Sequence, residues 1–182
     1  MICCQSWALY LVVAWAVGGT LAHHLFLAVH EITHGLALPW GDLSNNLLAI
    51  GVNVAMPIPY AMAFRKYHAL HHSHITVDGK DLDLPTRAEA LLLNSRPGRL
   101  LFCIFQGVFY TLRPVVVAPS PPTALELLNF AVVMTTNVLL ARFLGLGTVL
   151  YLLYAIGLGT GLHPMAAHFL TEHYIMTGIA ET

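Results

Sequence analysis

The run WALYLVVAWAVGGTLAHHLFLAVHEITH, residues 7–34, decides the fold, because an apolar segment leads directly into a histidine pair. A membrane-crossing helix needs about 20 predominantly apolar residues, and Trp7 to Val29 meets that length. His30 and His34 follow at i and i+4, which places both imidazoles on one face of a helix. Imidazole is a common ligand of iron, copper, zinc and nickel. The stretch therefore predicts a membrane span that ends in metal ligands.

The composition of the whole chain also indicates an integral membrane protein. The 182 residues are 57% hydrophobic and only 9% charged, whereas soluble domains carry roughly 25% charged residues. The net charge of −1 gives no basis for nucleic-acid binding. The cysteines, at positions 3, 4 and 103, form neither a disulfide framework nor a CxxC motif. Histidine is therefore the candidate metal-binding residue.

Further apolar segments complete the predicted all-α membrane fold, a single domain over residues 1–182. Residues 125–143 and 146–162 are predicted to be two spans of a helical hairpin joined by a tight glycine turn. Residues 47–64 and 100–118 are predicted to be interfacial or re-entrant helices. Prolines interrupt the segment 47–64. A single membrane crossing by this segment would also place the histidine clusters before and after it on opposite sides of the membrane, although a shared metal site requires both on one side. Seven of the eight basic residues lie between the first span and the hairpin, so the positive-inside rule places the histidine face in the cytosol.

Two further histidine clusters extend the set of candidate metal ligands. The cluster at residues 68–72 has spacing i, i+3 and i+4, so its three imidazoles share one helical face. The cluster at residues 163–173 follows the hairpin, and its spacings of five place successive rings about 140° apart around a helix. Pro164 is expected to begin a helix just after the first of these histidines. The eight candidate ligands are His30, His34, His68, His71, His72, His163, His168 and His173.

Simpler interpretations stay open for each cluster. His30-Glu31-x-x-His34 has the HExxH pattern of zinc proteases, but the surplus of further histidines favours a larger site. Histidines at a membrane surface can also form a solvated interfacial pair. The three aspartates between residues 78 and 83 form either a solvated acidic turn or a set of carboxylates that orient ligating histidines through their free ring N–H. Histidine-rich sites bind zinc as well as iron.

The order HxxxH, then HxxHH, then a histidine-bearing segment after a hairpin resembles the membrane fatty-acid desaturase and hydroxylase superfamily. Five stretches narrow the resemblance to the sphingolipid delta-4 desaturases: residues 30–34 (HEITH), 64–72 (FRKYHALHH), 77–86 (VDGKDLDLPT), 109–114 (FYTLRP) and 161–174 (GLHPMAAHFLTEHY). The histidine boxes mark only the superfamily, whereas the third and fifth stretches are much more specific. The resemblance runs from about His23 to the C-terminus.

This resemblance implies a di-iron enzyme of the endoplasmic reticulum membrane with the histidine clusters as metal ligands. Such enzymes introduce a trans double bond between C4 and C5 of the sphingoid base of dihydroceramide. Oxygen is the oxidant, and electrons come from NAD(P)H through cytochrome b5 and its reductase. Some relatives hydroxylate C4 instead, and the same boxes would serve that reaction or another acyl desaturation. A non-catalytic metal-binding membrane protein is a third alternative, whereas metal transport is disfavoured because the boxes lie at span ends.

The chain departs from the family pattern in two respects. No HxxHH box follows His72, whereas the family has another such box shortly beyond the position of Thr182. The polar N-terminal segment and the earlier span of the family are also missing. The chain is therefore expected to be an incomplete form that cannot hold both irons by itself and is inactive alone.

Overall fold

The computed structural model describes residues 7–171, and regular structure within that range is entirely helical, which confirms the predicted all-α class. Three helices, α1, α5 and α6 below, are long and apolar enough to cross a membrane. In chain order the helices are α1 (Trp7–Thr33), α2 (Asp42–Asn53), α3 (Ala61–Ser73), α4 (Arg87–Leu92), α5 (Arg96–Val117), α6 (Ala124–Leu144), α7 (Leu146–Gly159) and α8 (His168–Thr171), with a 3-10 turn at Pro164–Ala167.

The first helix, α1, carries the predicted first span directly into the histidine pair. Its 27 residues extend about 40 Å at 1.5 Å per residue, and its section Ala14–Gly19 is wound as a π-helix. This section packs against α7 so closely that a Cβ on Gly159 would collide with the carbonyl oxygen of Gly19. The buried His23 donates from Nδ1 to the carbonyl of Gly159 at 3.1 Å. Histidine at this position within the span therefore helps to hold α1 against α7.

The region predicted to be interfacial over residues 47–64, which prolines were expected to interrupt, consists of two helices joined by a sharp reversal. The first, α2, ends at Asn53, and α3 begins at Ala61. Pro57 and Pro59 lie between them and cannot continue a helix. The two helices have 12 and 13 residues, so each extends only about 18–20 Å, less than the bilayer core of about 30 Å. The interfacial or re-entrant placement of this region stays a prediction.

Buried asparagines hold the reversal against α6. The fully buried Asn53 accepts at Oδ1 from the backbone N–H groups of Tyr60 and Ala61, both at 3.1 Å. The same oxygen accepts from Nδ2 of Asn129 in α6 at 2.9 Å. Asn129 in turn accepts from the backbone N–H of Met62 at 3.3 Å. These bonds fix the start of α3 relative to α6, and α3 carries the second histidine box.

The predicted hairpin of α6 and α7 is present, with arms of unequal length. Gly145 alone joins the two helices, and its φ of 93° is a conformation that favours glycine. The first arm has 21 residues, whereas the second has only 14. Residues 160–162, predicted within the second span, therefore lie beyond the end of α7.

The helix predicted over residues 100–118 runs from Arg96 to Val117 as α5. Its 22 residues are sufficient for a crossing, and its interfacial placement stays a prediction. A kink at Phe105, with φ −112° and ψ 17°, divides the helix. Beyond the kink, a Cβ on Gly107 would collide with the side chain of Thr160. This close approach holds α5 against the chain that follows α7.

Candidate metal centre

Four histidines near the C-terminal ends of α1 and α3 converge on one point. Nε2 of His34 lies 3.3 Å from Nε2 of His30 and 3.1 Å from Nε2 of His68. Nε2 of His72 lies 3.0 Å from Nε2 of His68. One ring nitrogen from each of the four lies within 4.8 Å of all the others. The packing of α1 against α3 thus assembles two histidine boxes that are distant in sequence.

The separations of these nitrogens fit a single metal ion. Imidazole nitrogens bind metals at about 2.0–2.1 Å, so neighbouring ligands of one ion lie about 2.9–3.4 Å apart in octahedral or tetrahedral geometry. The observed contacts between Nε2 atoms, 3.0, 3.1 and 3.3 Å, fall inside that range. Four imidazoles around one point form a donor set for a borderline metal such as iron or zinc. The residues present therefore fit a metal ion.

Burial and neighbouring rings keep the His72 imidazole of this cluster in the neutral form that binds metals. His30 and His68 are only 5% and 8% exposed, whereas His34 lies on the exposed side of the cluster. Burial, together with the neighbouring rings of His34 and His71, lowers the pKa of His72 to about 4. A histidine with that pKa is neutral at physiological pH, so it does not have to lose a proton before it binds a metal.

Carboxylates orient two of the candidate ligands. Nδ1 of His30 lies 3.0 Å from Oε1 of Glu31, and Nδ1 of His71 lies 2.6 Å from Oδ1 of Asp81. A carboxylate that accepts the Nδ1–H leaves Nε2 as the metal-binding atom. Burial raises the pKa of the Asp81 carboxyl, but hydrogen bonds from His71 and from backbone N–H groups outweigh burial and lower it overall. Of the two interpretations left open for the aspartate run, Asp81 has the contact with the second histidine box that the orienting interpretation requires.

Two predicted ligands lie next to the four-histidine cluster without sharing its centre. The ring centroid of His71 is 5.2 Å from that of His72. The ring centroid of His168 is 6.4 Å from that of His30 and 5.6 Å from that of His23. Burial lowers the pKa of His168, which is therefore also held in the neutral form. The role of His71 and His168 as ligands stays a prediction.

The remaining two candidates are not part of the cluster that the described residues form. The ring of His163 packs on Trp15 with centroids 5.1 Å apart, and its Nε2 lies 3.4 Å from Oγ1 of Thr20. Thr20 precedes His30 by ten residues on α1, a rise of about 15 Å, so His163 lies well away from the cluster. As predicted, helical structure begins at Pro164, immediately after His163. His173 lies outside the described residues.

A cavity of about 670 Å³ lies beside the cluster, between α3, α5 and α7. Its lining includes His68 and His71 together with apolar side chains such as Phe64, Leu112 and Leu153. Phe64 stacks on His68 with ring centroids 4.6 Å apart, so an apolar wall continues directly onto a candidate ligand. The volume lies within the range of about 300–1,000 Å³ that is usual for ligand sites. The apolar lining suits a lipid chain better than a polar metabolite.

Sequence reasoning did not identify the buried polar residues that support this site. Arg113 is only 3% exposed and donates to Glu89 and to loop backbone carbonyls beside Asp81. Arg113 is the only charged side chain in residues 100–117. An ionised group in an apolar helix requires a buried partner, so the sequence contains a signal that Arg113 is paired. No comparable signal in the local sequence indicated that Asn53 joins α3 to α6, since its partners come from α6 as well as from the turn.

Comparison with known proteins gives a consistent set of relatives. A sequence profile of the fatty acid desaturase family matches residues 5–181. The sphingolipid delta(4)-desaturase DES1 of Drosophila melanogaster is 40% identical over 178 residues, which cover 97% of this chain and 56% of that protein. The sphingolipid delta(4)-desaturase/C4-monooxygenase DES2 of Homo sapiens is 39% identical over 178 residues, covering 97% and 55%. The sphingolipid delta(4)-desaturase of Schizosaccharomyces pombe is 40% identical over 172 residues, covering 94% and 47%.

The chain spans about half the length of these curated relatives. No solved structure matches the chain.

Proposed function

The chain belongs to the fatty acid desaturase family, and from this premise we propose that it acts as a sphingolipid delta-4 desaturase. The observation that carries the proposal is a cluster of four histidines whose nitrogens have the spacing of metal ligands and which borders an apolar cavity. The relatives that match nearly the whole chain are named for this activity. Three helices long enough to cross a membrane agree with a multi-pass membrane protein that acts on lipid.

Iron is the metal that we propose for this site. When bound, a pair of irons supplies the oxidising power needed to remove hydrogen from an unactivated C–H bond. One ion would be held by the four-histidine cluster, and His71 and His168 lie close enough to contribute to a second. Glu31 and Asp81 would hold two of the rings in position by accepting their Nδ1–H groups. Electrons would come from NAD(P)H through cytochrome b5 and its reductase.

The proposed substrate is dihydroceramide, whose sphingoid chain would lie in the apolar cavity. The reaction removes one hydrogen from C4 and one from C5 of that chain. These two hydrogens, with two electrons from NAD(P)H and two protons, reduce one O₂ to two molecules of water. The residues of the cavity wall would exclude water and hold the chain beside His68 and His71, since both side chains line the cavity.

C4 hydroxylation is a second candidate function, supported by the name of the human relative, which includes a C4-monooxygenase activity. The same cluster and cavity would serve both reactions. In the hydroxylation, one oxygen atom of O₂ would enter the C4–H bond, and two electrons from NAD(P)H with two protons would reduce the other oxygen atom to water. Placement of the chain relative to the metal ligands would then decide the product.

We propose the endoplasmic reticulum membrane as the location, with the histidine cluster facing the cytosol. Arg65 and Lys66 lie on α3 immediately before the second histidine box, so basic residues are close to the cluster. Lys66 also pairs with Glu126 at the start of α6 at 2.8 Å, which places that helix end on the same side. An excess of basic residues marks the cytosolic face of membrane proteins.

Product analysis in membranes tests this proposal. The protein is expressed from its gene in cells that lack dihydroceramide desaturation, and isolated membranes receive NADH and isotope-labelled dihydroceramide. We expect labelled 4,5-trans ceramide by mass spectrometry and iron in the purified protein. A product hydroxylated only at C4 would favour the second candidate. Conversion of a different acyl lipid, with dihydroceramide untouched, would overturn both.

A further inference from the structure

A buried arginine in α5 contacts the loop that carries Asp81. The side chain of Arg113 is only 1% exposed. Nε donates to Oε2 of Glu89 at 3.0 Å and Nη2 donates to Oε1 at 3.1 Å, which is a two-pronged ion pair. Nη1 donates to the carbonyl oxygens of Asp83 at 2.8 Å and Leu82 at 3.3 Å. One planar group thus joins α5 to α4 and to the loop.

Both members of this ion pair are themselves held in place. Glu89 accepts from the backbone N–H of Thr86 at 2.6 Å, and Thr86 accepts in return from the backbone N–H of Glu89 at 3.2 Å, which closes a capping box on α4. The guanidinium carbon of Arg113 lies 4.9 Å from the ring centroid of Tyr110, one turn earlier on α5. The pair therefore has one defined geometry.

The loop held by Arg113 sets the orientation of the Asp81 carboxylate. Oδ1 of Asp81 accepts from the backbone N–H of Asp83 at 2.9 Å, and Oδ2 accepts from the backbone N–H of Thr76 at 2.7 Å. Leu82, between the two aspartates, is only 1% exposed. The carboxylate oxygen that contacts Nδ1 of His71 at 2.6 Å is therefore fixed by the same backbone that Arg113 binds.

We infer that Arg113 is a positioning residue for His71. With Glu89 it holds residues 82–83 in place, and this loop holds Asp81. Asp81 in turn fixes the His71 ring at Nδ1, so that Nε2 lies on the opposite side of the ring, 3.6 Å from Oδ2 of Asp83. The inference rests on the proposed function, because it gives His71 the role of a metal ligand. Arginine is required, since five donors in a planar fork serve a carboxylate and two carbonyls at once, which the single ammonium group of lysine does not.

Arg113→Lys tests this positioning role, because lysine keeps the positive charge but lacks the planar set of N–H donors that binds Glu89 and the loop. We expect faster hydrogen–deuterium exchange in residues 76–84 and metal binding that is weaker by about tenfold, the lower end of the loss seen when an outer partner of a ligand is removed. Glu89→Gln should act in the same direction, and the double variant should add little to either single change. Arg65→Lys is the matched control, since Arg65 pairs with the exposed Asp42 at 3.1 Å and does not contact the loop.

The two measurements separate this positioning role from the proposed function. Faster exchange together with weaker metal binding in both Arg113→Lys and Glu89→Gln, but not in Arg65→Lys, supports the inference. Unchanged exchange, or wild-type metal affinity despite faster exchange, overturns it. If Arg113→Lys does not fold, Glu89→Gln decides the question alone. A wild-type protein that holds no metal overturns the proposed function, while the exchange rates still decide whether Arg113 holds the loop in place.

Discussion

At the scale of single residues, the metal centre depends on where each ring nitrogen lies rather than on how many histidines the chain has. His34 and His68 have the inner places in the cluster, and Nε2 of His68 contacts Nε2 of both His34 and His72, at 3.1 and 3.0 Å. His74, only six residues later, instead directs Nδ1 to the hydroxyl of Ser73 and the carbonyl of Leu70. His74 thus points away from the candidate site, although it follows the cluster at residues 68–72 by only two residues.

Replacement of His68 tests the cluster directly. His68→Ala removes one of the two inner nitrogens, so the metal content of purified protein should fall close to zero and turnover should fall by at least about 100-fold. Metal analysis and product formation measure the two effects. His74→Ala should leave both unchanged. A His68→Ala protein that retains the wild-type metal content would contradict the assignment of the cluster.

The Glu89 carboxylate makes folding stability depend on pH. Burial raises the pKa of Glu89, but hydrogen bonds from Arg113 and Thr86 outweigh burial, so the pKa in the folded protein is lowered. A carboxyl group whose pKa is lower in the folded than in the unfolded protein stabilises the fold in full above its unfolded-state pKa, about 4.3 for glutamate. This stabilisation is lost as the pH falls through the lower folded-state pKa.

The Glu89→Gln protein should therefore melt at a lower temperature than wild type at pH 7. This difference in melting temperature, the gap, should narrow as the pH falls below about 4.3. Thermal unfolding in detergent between pH 7 and pH 3 measures the gap. A gap that widens on acidification would show that Glu89 does not stabilise the fold as the ionised partner of Arg113.

At the scale of helices, the backbones of α1 and α7 come into close contact at glycine. Small residues let the backbones of membrane helices come into contact, which stabilises their association by close packing. Gly159 faces the carbonyl oxygen of Gly19, whereas Gly147, at the other end of the same helix, has no atom within 4 Å of the position of a Cβ. Gly147 and Gly159 thus form an internal comparison within α7.

Gly159→Ala should destabilise the fold by about 1–3 kcal/mol, because the added methyl group forces the two helices apart. Gly147→Ala, the matched control, should be neutral or slightly stabilising, since alanine favours helix and the methyl group meets open space. Denaturant or thermal unfolding of the two variants compares them. Equal losses of stability in both would contradict the close contact of α1 and α7.

At the scale of the whole molecule, the cavity extends from the histidine cluster to the exposed surface of α5. Val115 lines the cavity and is 57% exposed, so it lies at an opening rather than in the interior. Its neighbour Val116 is 75% exposed and is not part of the lining. A lipid substrate that enters beside α5 would therefore pass Val115 and not Val116.

Val115→Trp should raise the KM for dihydroceramide by about tenfold, equivalent to roughly 1.4 kcal/mol of lost binding, and should leave the metal content unchanged. Val116→Trp places the same ring one residue away and should change neither quantity. Kinetics with both variants in membranes, together with metal analysis, make the comparison. Equal effects of the two substitutions would exclude this opening as the entry for substrate.

Local sequence patterns predicted the elements of the fold better than their boundaries. The apolar run of residues 7–29 and the hairpin after residue 124 are visible because hydrophobic length and glycine turns are local signals. Pro57 and Pro59 showed that a helix over residues 47–64 must break. The sharp reversal at that break depends on Asn53 and its partner Asn129, which are 76 residues apart in sequence. A hydrogen bond between residues so far apart cannot be predicted from a local sequence pattern.

The sequence by itself determined that this is an all-α membrane protein, that eight of its eleven histidines fall into three clusters, and that each of the first two clusters lies on one helical face. These properties follow from composition and helical period, which are local. Only the tertiary structure decided that His30, His34, His68 and His72 share one centre, that His163 packs on Trp15 instead, and that Arg113 binds the Asp81 loop. Such contacts join residues far apart in the chain, so the packing of α1, α3 and α5 determines them.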